Sequence, residues 1–312
     1  MSQTTPAIEV QDLTKRYGPP DSGLLAVDHI SFQVGQGEVF GFLGPNGAGK
    51  TTTIRMLAGL SQPTMGQARI LGLDRSSDLP QIKKRIGVVP EASNLYDELT
   101  AFDNLVFSMQ LYGVPRSERA SRADELLDRF RLAEKRDTPF AKLSRGMKRA
   151  LTIAAALAHQ PALLFLDEPT TGLDVLSARS LRQMIAGLRD EGVTVFLTTH
   201  YLEEAERLCD RIALLVRGKI VALDTLAGLK AQVQGAAAVE VTLQEGDGRT
   251  ETRRLVGEEP ASLVREALAQ AESDGHRLLS IRTVQPSLED VFVQLTGLSA
   301  EVIQAEKGGK GR

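Results

Sequence analysis

One run constrains this chain more than any other: GPNGAGKT, from Gly44 to Thr51. It follows the apolar segment GEVFGFL and leads into the helix-forming sequence TTIRMLAGL. That is the G-x-x-x-x-G-K-[ST] pattern between a strand and a helix, the context in which the pattern carries meaning. Its glycines permit tight turns that aim successive backbone N–H groups inward, and the helix start adds partial positive charge. Gly44, Pro45, Asn46, Gly47, Ala48, Gly49, Lys50, Thr51 and Thr52 are therefore candidate contacts for a nucleotide's phosphates. Lys50 can reach the β and γ phosphates, and the Thr51 hydroxyl can sit on Mg²⁺.

A phosphate cradle of this type needs a carboxylate at the end of a second buried strand. PALLFLDEP supplies two, Asp167 to hold the metal and Glu168 to orient or deprotonate a water. Kinase, GTPase and ATPase chemistries all stay open on these residues alone. A second anion nest is legible in LSRGMKR. Ser144 is a candidate N-cap, and MKRALTIAAALAH after it is a strong helix. The N–H groups of Arg145 and Gly146 are then free at the helix start. Two such nests on one chain are redundant unless two copies meet head to tail, the nest of one closing over the phosphate held by the other.

Apolar strands alternate with helices through the first 220 residues, which predicts a layered α/β core with buried strands. Strands are expected in IEVQDLTKRYG, LLAVDHISFQV, GEVFGFLG, RIGVVPEA, Leu163–Leu166 and VTVFLTTH. Helices are expected over Thr51–Leu60, most of Ser93–Lys135, the run after Ser144, Ala178–Leu188 and Leu202–Leu208. A helical subdomain spans about 92–158. Past Ile220 the texture changes, and residues 221–300 are expected to form a small α+β domain. It has two strand-like runs within GLKAQVQGAAAVEVTLQEGDGRTETRRLVGEE, placed around a Gly-Asp-Gly turn. A helix over Pro260–Ala271, a strand at RLLSIRTV and a closing helix capped by Ser287 complete it. Residues 301–312 are expected to be a disordered tail.

Composition then narrows the class. Apolar residues are 42% and charged residues 25% of 312, with a net charge of -3. That balance does not suit an obligate nucleic-acid binder. Cys209 is the single cysteine, which leaves no intrachain disulfide and fits a reducing compartment; its expected role is packing. MSQTTPAIEV does not read as a signal peptide. No apolar stretch is long enough to span a bilayer, so a membrane role has to come through a partner.

With these motifs together, residues 8 to 220 resemble the nucleotide-binding subunit of an ATP-binding-cassette transporter. The fold class this implies is a P-loop NTPase cassette with a helical subdomain, here carrying a small C-terminal α+β domain. The resemblance implies ATP and Mg²⁺ as ligands and adds roles one residue at a time. Leu143 to Met147, LSRGM, matches the signature sequence, with Arg145 where the family has a second glycine. Tyr17 resembles the aromatic residue that stacks on adenine. Asp174, ending TTGLD, resembles the loop linking two composite sites, and His200 resembles the switch histidine at the γ-phosphate. Glu91 stands where the family has glutamine; it keeps an acceptor oxygen for the metal and adds a negative charge.

The implied partners are a second copy of the chain and integral membrane permease subunits, with no nucleic acid. The implied location is cytoplasmic, peripheral on the inner face of a bacterial-type cell membrane. QPSLEDVFVQLTG resembles the C-terminal extension of export-type subunits, for which drug or antibiotic efflux is the usual assignment. Polysaccharide, lipid, sodium or peptide export are the alternatives within the class. Two-cassette translation factors and coiled-coil DNA-repair relatives are the soluble rivals, and this chain has one phosphate loop and no long insertion.

Overall fold

A computed structural model describes residues 5–19, 21–233, 237–244, 248–257, 259–284 and 286–298. The described chain divides into two compact units, one through Thr225 and one from Leu226.

The first unit opens with β1 (Ile8–Tyr17) and β2 (Leu24–Val34), an antiparallel pair, followed by β3 (Val39–Leu43) and α1 (Lys50–Leu57). Next come β4 (Met65–Ile70), β5 (Leu73–Asp74), α2 (Leu79–Lys83) and β6 (Ile86–Val89). Three longer helices follow: α3 (Ala101–Leu111), α4 (Arg116–Arg129) and α5 (Arg145–Leu157). The unit closes with β7 (Leu163–Asp167), α6 (Val175–Asp190), β8 (Thr194–Thr199), α7 (Leu202–Leu208), β9 (Arg211–Val216) and β10 (Lys219–Thr225).

These strands make two sheets, ordered β2-β1-β4-β5 and β10-β9-β3-β8-β7-β6. The second positions the chemistry. β3, β6, β7, β8 and β9 run parallel, and only β10 is antiparallel to its neighbour. β3, β7 and β8 are buried at every position. This is why VFGFL, LLFLD and TVFLTT read as largely apolar runs with no alternation, the last two ending in a carboxylate and in threonine. All three end on the same edge of the sheet, where open parallel sheets place their ligands.

Between the sheets Phe32, Phe40, Phe42, Phe165 and Phe196 pack ring to ring, the Phe42–Phe196 centroids 5.3 Å apart. A second apolar cluster joins α3, α4 and α5 through Leu105, Met109, Leu126, Leu127, Phe130 and Leu151. At Gly41 the approach of α7 leaves no room for a side chain, because a Cβ there would lie 2.5 Å from Cys209 Sγ. Cys209 is therefore a packing residue, and desolvation pushes its thiol well up.

Helix ends differ from the expected spans for local reasons. α1 stops at Leu57, short of Leu60, because Gly59 turns left-handed (φ 73°). The Leu60 N–H then closes back on the Arg55 carbonyl at 2.8 Å and the Gly59 N–H on Met56 at 3.2 Å, the Schellman arrangement. Residues 93–100 are not helical; α3 begins only where the Thr100 hydroxyl caps the Asp103 N–H. α6 starts at Val175, earlier than Ala178, because Asp174 caps it.

The second unit holds α8 (Leu226–Gln232), β11 (Ala237–Gln244), β12 (Thr250–Gly257), α9 (Pro260–Ser273), β13 (Arg277–Val284) and α10 (Leu288–Thr296). Its sheet is antiparallel in the order β12-β11-β13. Val239, Val241 and Leu243 face one side and are covered by Leu263, Ala267 and Ala271, four residues apart on α9. GLKAQ, read as strand-like in sequence, is part of α8. Leu229 is its one buried side chain, and α8 packs against α10, so a tertiary contact decides an otherwise ambiguous segment. Ser287 caps α10 in a reciprocal box with Asp290, as expected. Gly246 and Asp247 of the expected turn, and the tail 301–312, lie outside the described residues.

Candidate functional site

At the C-terminal edge of the parallel sheet, a cleft of about 430 Å³ collects residues from six separate segments. Asn46 to Thr52 form its floor, Tyr17 and Glu91 stand at its sides, and Glu168 and His200 complete it. Leu24 and Ala26 of β2 and Thr171 also line it; none of the three was singled out in sequence.

The loop from Gly44 to Gly49 has the backbone a phosphate cradle requires. Gly47 and Gly49 are left-handed, at φ 79° and 105°, and a Cβ at Gly49 would sit 2.4 Å from the Ala26 carbonyl. Gly44 and Pro45 lie just beneath, and their carbonyls accept from Lys50 Nζ at 2.6 and 3.2 Å. Lys50 is nonetheless aimed at the chemistry, since the same ammonium lies 3.1 Å from Glu168 Oε1.

Asp167 and Glu168 are adjacent in sequence and face different partners. Asp167 Oδ1 accepts from Thr51 Oγ1 at 3.1 Å and from Thr198 Oγ1 at 2.6 Å. Glu168 Oε2 accepts from His200 Nδ1 at 2.7 Å and from Thr171 Oγ1 at 3.2 Å. The parting is made by the backbone, for Glu168 sits at φ 49°, left-handed and unusual for a residue with a side chain. Thr198 locks that turn by accepting the Glu168 N–H at 3.1 Å.

Burial raises both carboxyls, with different outcomes. Asp167 stays above its ordinary value, because burial outweighs the hydrogen bonds from Thr198 and Thr51 while Glu168 and Glu91 push the same way. Glu168 ends below the ordinary range, because the His200 hydrogen bond and the Lys50 charge overcome burial. An ionised Glu168 can only accept, so His200 Nδ1 carries a proton. His200 Nε2 is buried and lacks a hydrogen-bond partner among the described residues.

The remaining sequence candidates gather elsewhere on the same unit. The Ser144 hydroxyl caps α5, accepting the Met147 N–H at 3.3 Å, and leaves the helix start exposed. Arg145 Nη1 donates to the Gly172 carbonyl at 2.8 Å, and a Cβ on Gly146 would meet Ser177 Oγ at 2.6 Å. Asp174 caps α6 through the Ser177 N–H at 2.9 Å. Ser144, Arg145, Gly146 and Asp174 are thus one cluster, outside the cleft that holds Lys50 and Glu168.

One residue the sequence reading missed joins these parts. Arg149, on the buried face of α5 and 7% exposed, donates Nη2 to the Asp167 carbonyl at 2.6 Å and Nε to Pro169 at 2.9 Å. Its Nη1 serves the Glu91 carbonyl at 3.2 Å and that of Pro90. The signal available in sequence was a cation among Ala150, Leu151, Ile153 and Ala154, where a buried charge requires a partner.

The residues present fit a magnesium nucleotide. Left-handed glycines open the cradle, hydroxyl and carboxylate oxygens from Thr51 and Asp167 converge, and a buried imidazole nitrogen lacks a partner. Together with the parallel sheet this arrangement defines a P-loop nucleoside-triphosphate hydrolase of the cassette type. Residues 27–171 match the family model described as ABC transporter. The chain is 38% identical to the daunorubicin/doxorubicin resistance ATP-binding protein DrrA of Streptomyces peucetius, over 99% of this chain and 98% of that protein. It is 37% identical to the Nod factor export ATP-binding protein I of Ralstonia nicotianae, over 94% and 95%. A solved ATP-binding cassette, dimeric in a post-hydrolysis state with ADP and Pi, matches with a TM-score of 0.65 at 27% identity. That match covers 70% of this chain and 98% of the other. The chain belongs to the ABC transporter family, and it is an ATP-binding subunit that hydrolyses ATP.

The raised Asp167 yields a prediction. A group raised in the folded state contributes stability below its ordinary value, 3.8, and that contribution is lost as pH rises through the folded value. At pH 7 without divalent cation, Asp167→Asn should therefore raise the unfolding midpoint. The same variant should lose the Mg²⁺ dependence of ATP binding. Calorimetry in chelator, then with Mg²⁺ and ATP, checks both; a lowered midpoint in chelator would show the carboxylate to be stabilising.

Proposed function

We propose that this chain powers export of a drug, antibiotic or similar small molecule through a separate membrane permease. The observation that carries the reading is its likeness to an antibiotic-resistance ATP-binding protein along nearly the full length of both chains, the second unit included. The Nod factor relative supports the broader form of the reading, export of some other cargo by the same machinery. No helix among the described residues is long and apolar enough to cross a membrane, so translocation is assigned to partner subunits. On this reading the unit through Thr225 is the cassette, five residues past the expected boundary at 220 because β10 completes its sheet, with the helical subdomain at about 92–158 and the unit from Leu226 as the accessory domain. The chain works at the inner face of the membrane.

Two copies meet head to tail, so that Ser144, Arg145 and Gly146 of one approach the phosphates cradled by Asn46 to Thr52 of the other, with Asp174 near the seam. The separation of these two groups on one chain supports that arrangement. Tyr17 takes the adenine face; Lys15 Nζ already sits 5.0 Å from its ring centroid, which enriches the edge in positive charge. Thr51, Asp167 and Glu91 would hold Mg²⁺, which would supply neutralisation of phosphate charge. Lys50 moves from Glu168 toward phosphate. Glu168, ionised and oriented by His200 and Thr171, then takes the proton of the attacking water.

The test is capture of the tagged chain from detergent-solubilised membranes of its native host. A multi-span membrane protein should co-purify at a fixed ratio, and its loss on altering the exposed segment after Glu91 would locate the contact. Recovery of the chain alone in the soluble fraction, or with ribosomes or DNA, would sink the transport reading.

A further inference from the structure

The Arg149 contacts reach three segments that the proposed cycle needs to move in concert. α5 carries the Ser144 nest at its start. Pro90 and Glu91 follow directly from β6, and Asp167 ends β7, its parallel neighbour, with Val89 paired to Leu166. One guanidinium therefore holds the ends of two adjacent strands to the helix beneath them. Four of its five N–H groups have a backbone carbonyl, two from each strand's exit. Further along the same loop, Ser93 Oγ and Thr152 Oγ1 lie 2.8 Å apart, a second tie one turn along α5. Under β6 the fit is close enough that a Cβ on Gly87 would come 2.4 Å from the Ala156 carbonyl.

Charge adds to geometry. Burial disfavours the guanidinium cation, and the carboxyls of Asp167, Glu204, Glu91 and Glu168 all favour it. Arg149 is the buried cation around which these acids are arranged, and it offsets the additional negative charge that Glu91 brings where the family has glutamine.

We infer that Arg149 is the positioning residue that makes the 90–93 loop, the nest-bearing helix α5 and the Asp167–Glu168 acids one mechanical part. A shift at the loop after Glu91 is thereby delivered to the hydrolytic base, and nucleotide at the base is reported back to the loop. This rests on the functional reading above, in which that loop faces the partner. Backbone acceptors make the joint independent of the side chain at 90 or 91, and they demand a planar fork. Lysine offers a point charge on a flexible stem and cannot serve both strands at once.

The test compares the native chain with Arg149→Lys and Arg149→Gln on three readouts. These are kcat for ATP, Kd for ATPγS with Mg²⁺, and amide exchange over residues 86–100 with and without that nucleotide. A 1 Å misplacement costs up to about 100-fold in rate. Arg149→Gln should lose on the order of 100-fold in kcat and Arg149→Lys about tenfold. Kd should stay within about twofold in both, since no binding group is removed. In the native chain nucleotide should slow exchange across 86–100; in Arg149→Lys that response should vanish although nucleotide is bound. Native kcat in either folded variant, or a loop that still responds, would overturn the inference, as would a loss of affinity matching the loss of rate. If Arg149→Gln fails to fold, Arg149→Lys decides the question. A native chain that binds nucleotide without turnover would defeat the functional reading, while the exchange response would still decide the joint.

Discussion

Replacing Glu168 by glutamine should lower kcat for ATP hydrolysis by about 1000-fold while leaving ATP affinity within a few-fold of native. A positioned base contributes typically 10²–10⁴. The amide keeps the volume of the carboxylate and one acceptor oxygen for His200, but it cannot take a proton from water. The His200 contact and the left-handed backbone at 168 are compatible with glutamine, and Lys50 keeps the Gly44 and Pro45 carbonyls although it loses its carboxylate, so a thermal melt of the variant accompanies the kinetics. Phosphate release gives kcat, and titration of a fluorescent nucleotide gives affinity. A loss below tenfold would place the base elsewhere. On the head-to-tail reading, this variant should also accumulate as an ATP-bound dimer in size-exclusion chromatography.

Lys50→Met is expected to act twice. On the proposed reading it removes charge-assisted contacts to phosphate, about 1.5–3 kcal/mol each, so kcat/KM should fall on the order of 10³ if two are lost. It also strips Glu168 of its ammonium partner, both side chains being at most 7% exposed. Breaking a buried pair from one side costs about 3–5 kcal/mol, because the other charge remains. Urea denaturation at pH 7 should show that loss, and adding Glu168→Gln should recover most of it.

The pH dependence follows with a definite sign. Glu168 is depressed in the folded chain, so its contribution is present above the ordinary glutamate value of 4.5 and is lost as pH falls through the depressed one. The gap between native and Lys50→Met should be widest near neutrality and close on acidification below about 4.5. A gap unchanged by acid, or one that Glu168→Gln does not narrow, would show that the pair does not set the effect.

How much of this was legible beforehand depended on how local each feature is. The phosphate cradle is contiguous, and its glycines carry the required φ values whatever the rest of the chain does. Asp167 and Glu168 were legible because a fully buried parallel strand must end somewhere polar. The caps at Ser144 and Ser287 are three-residue relationships and could be read directly, whereas the cap at Asp174 was missed and α6 was expected only from Ala178. Arg149 was not, since its four acceptors are backbone carbonyls from two distant segments that no side-chain pattern announces. Thr198 was hidden for the same reason: a threonine in an apolar strand reads as a strand former until Asp167 is placed beside it. α8 was misread because seven residues with one buried leucine carry no period, and α10 supplies the missing half of the pattern.

The left-handed turn at Glu168 has a consequence for how two like acids share one strand end. Left in register, Asp167 and Glu168 would compete for a single proton and a single counter-charge. The turn gives them separate addresses, one among the hydroxyls of Thr51 and Thr198 and one between Lys50 and His200. Their affinities for protons then move in opposite directions, upward for Asp167 and downward for Glu168. A single dihedral angle thus sets up a division of labour between neighbours of nearly the same chemistry.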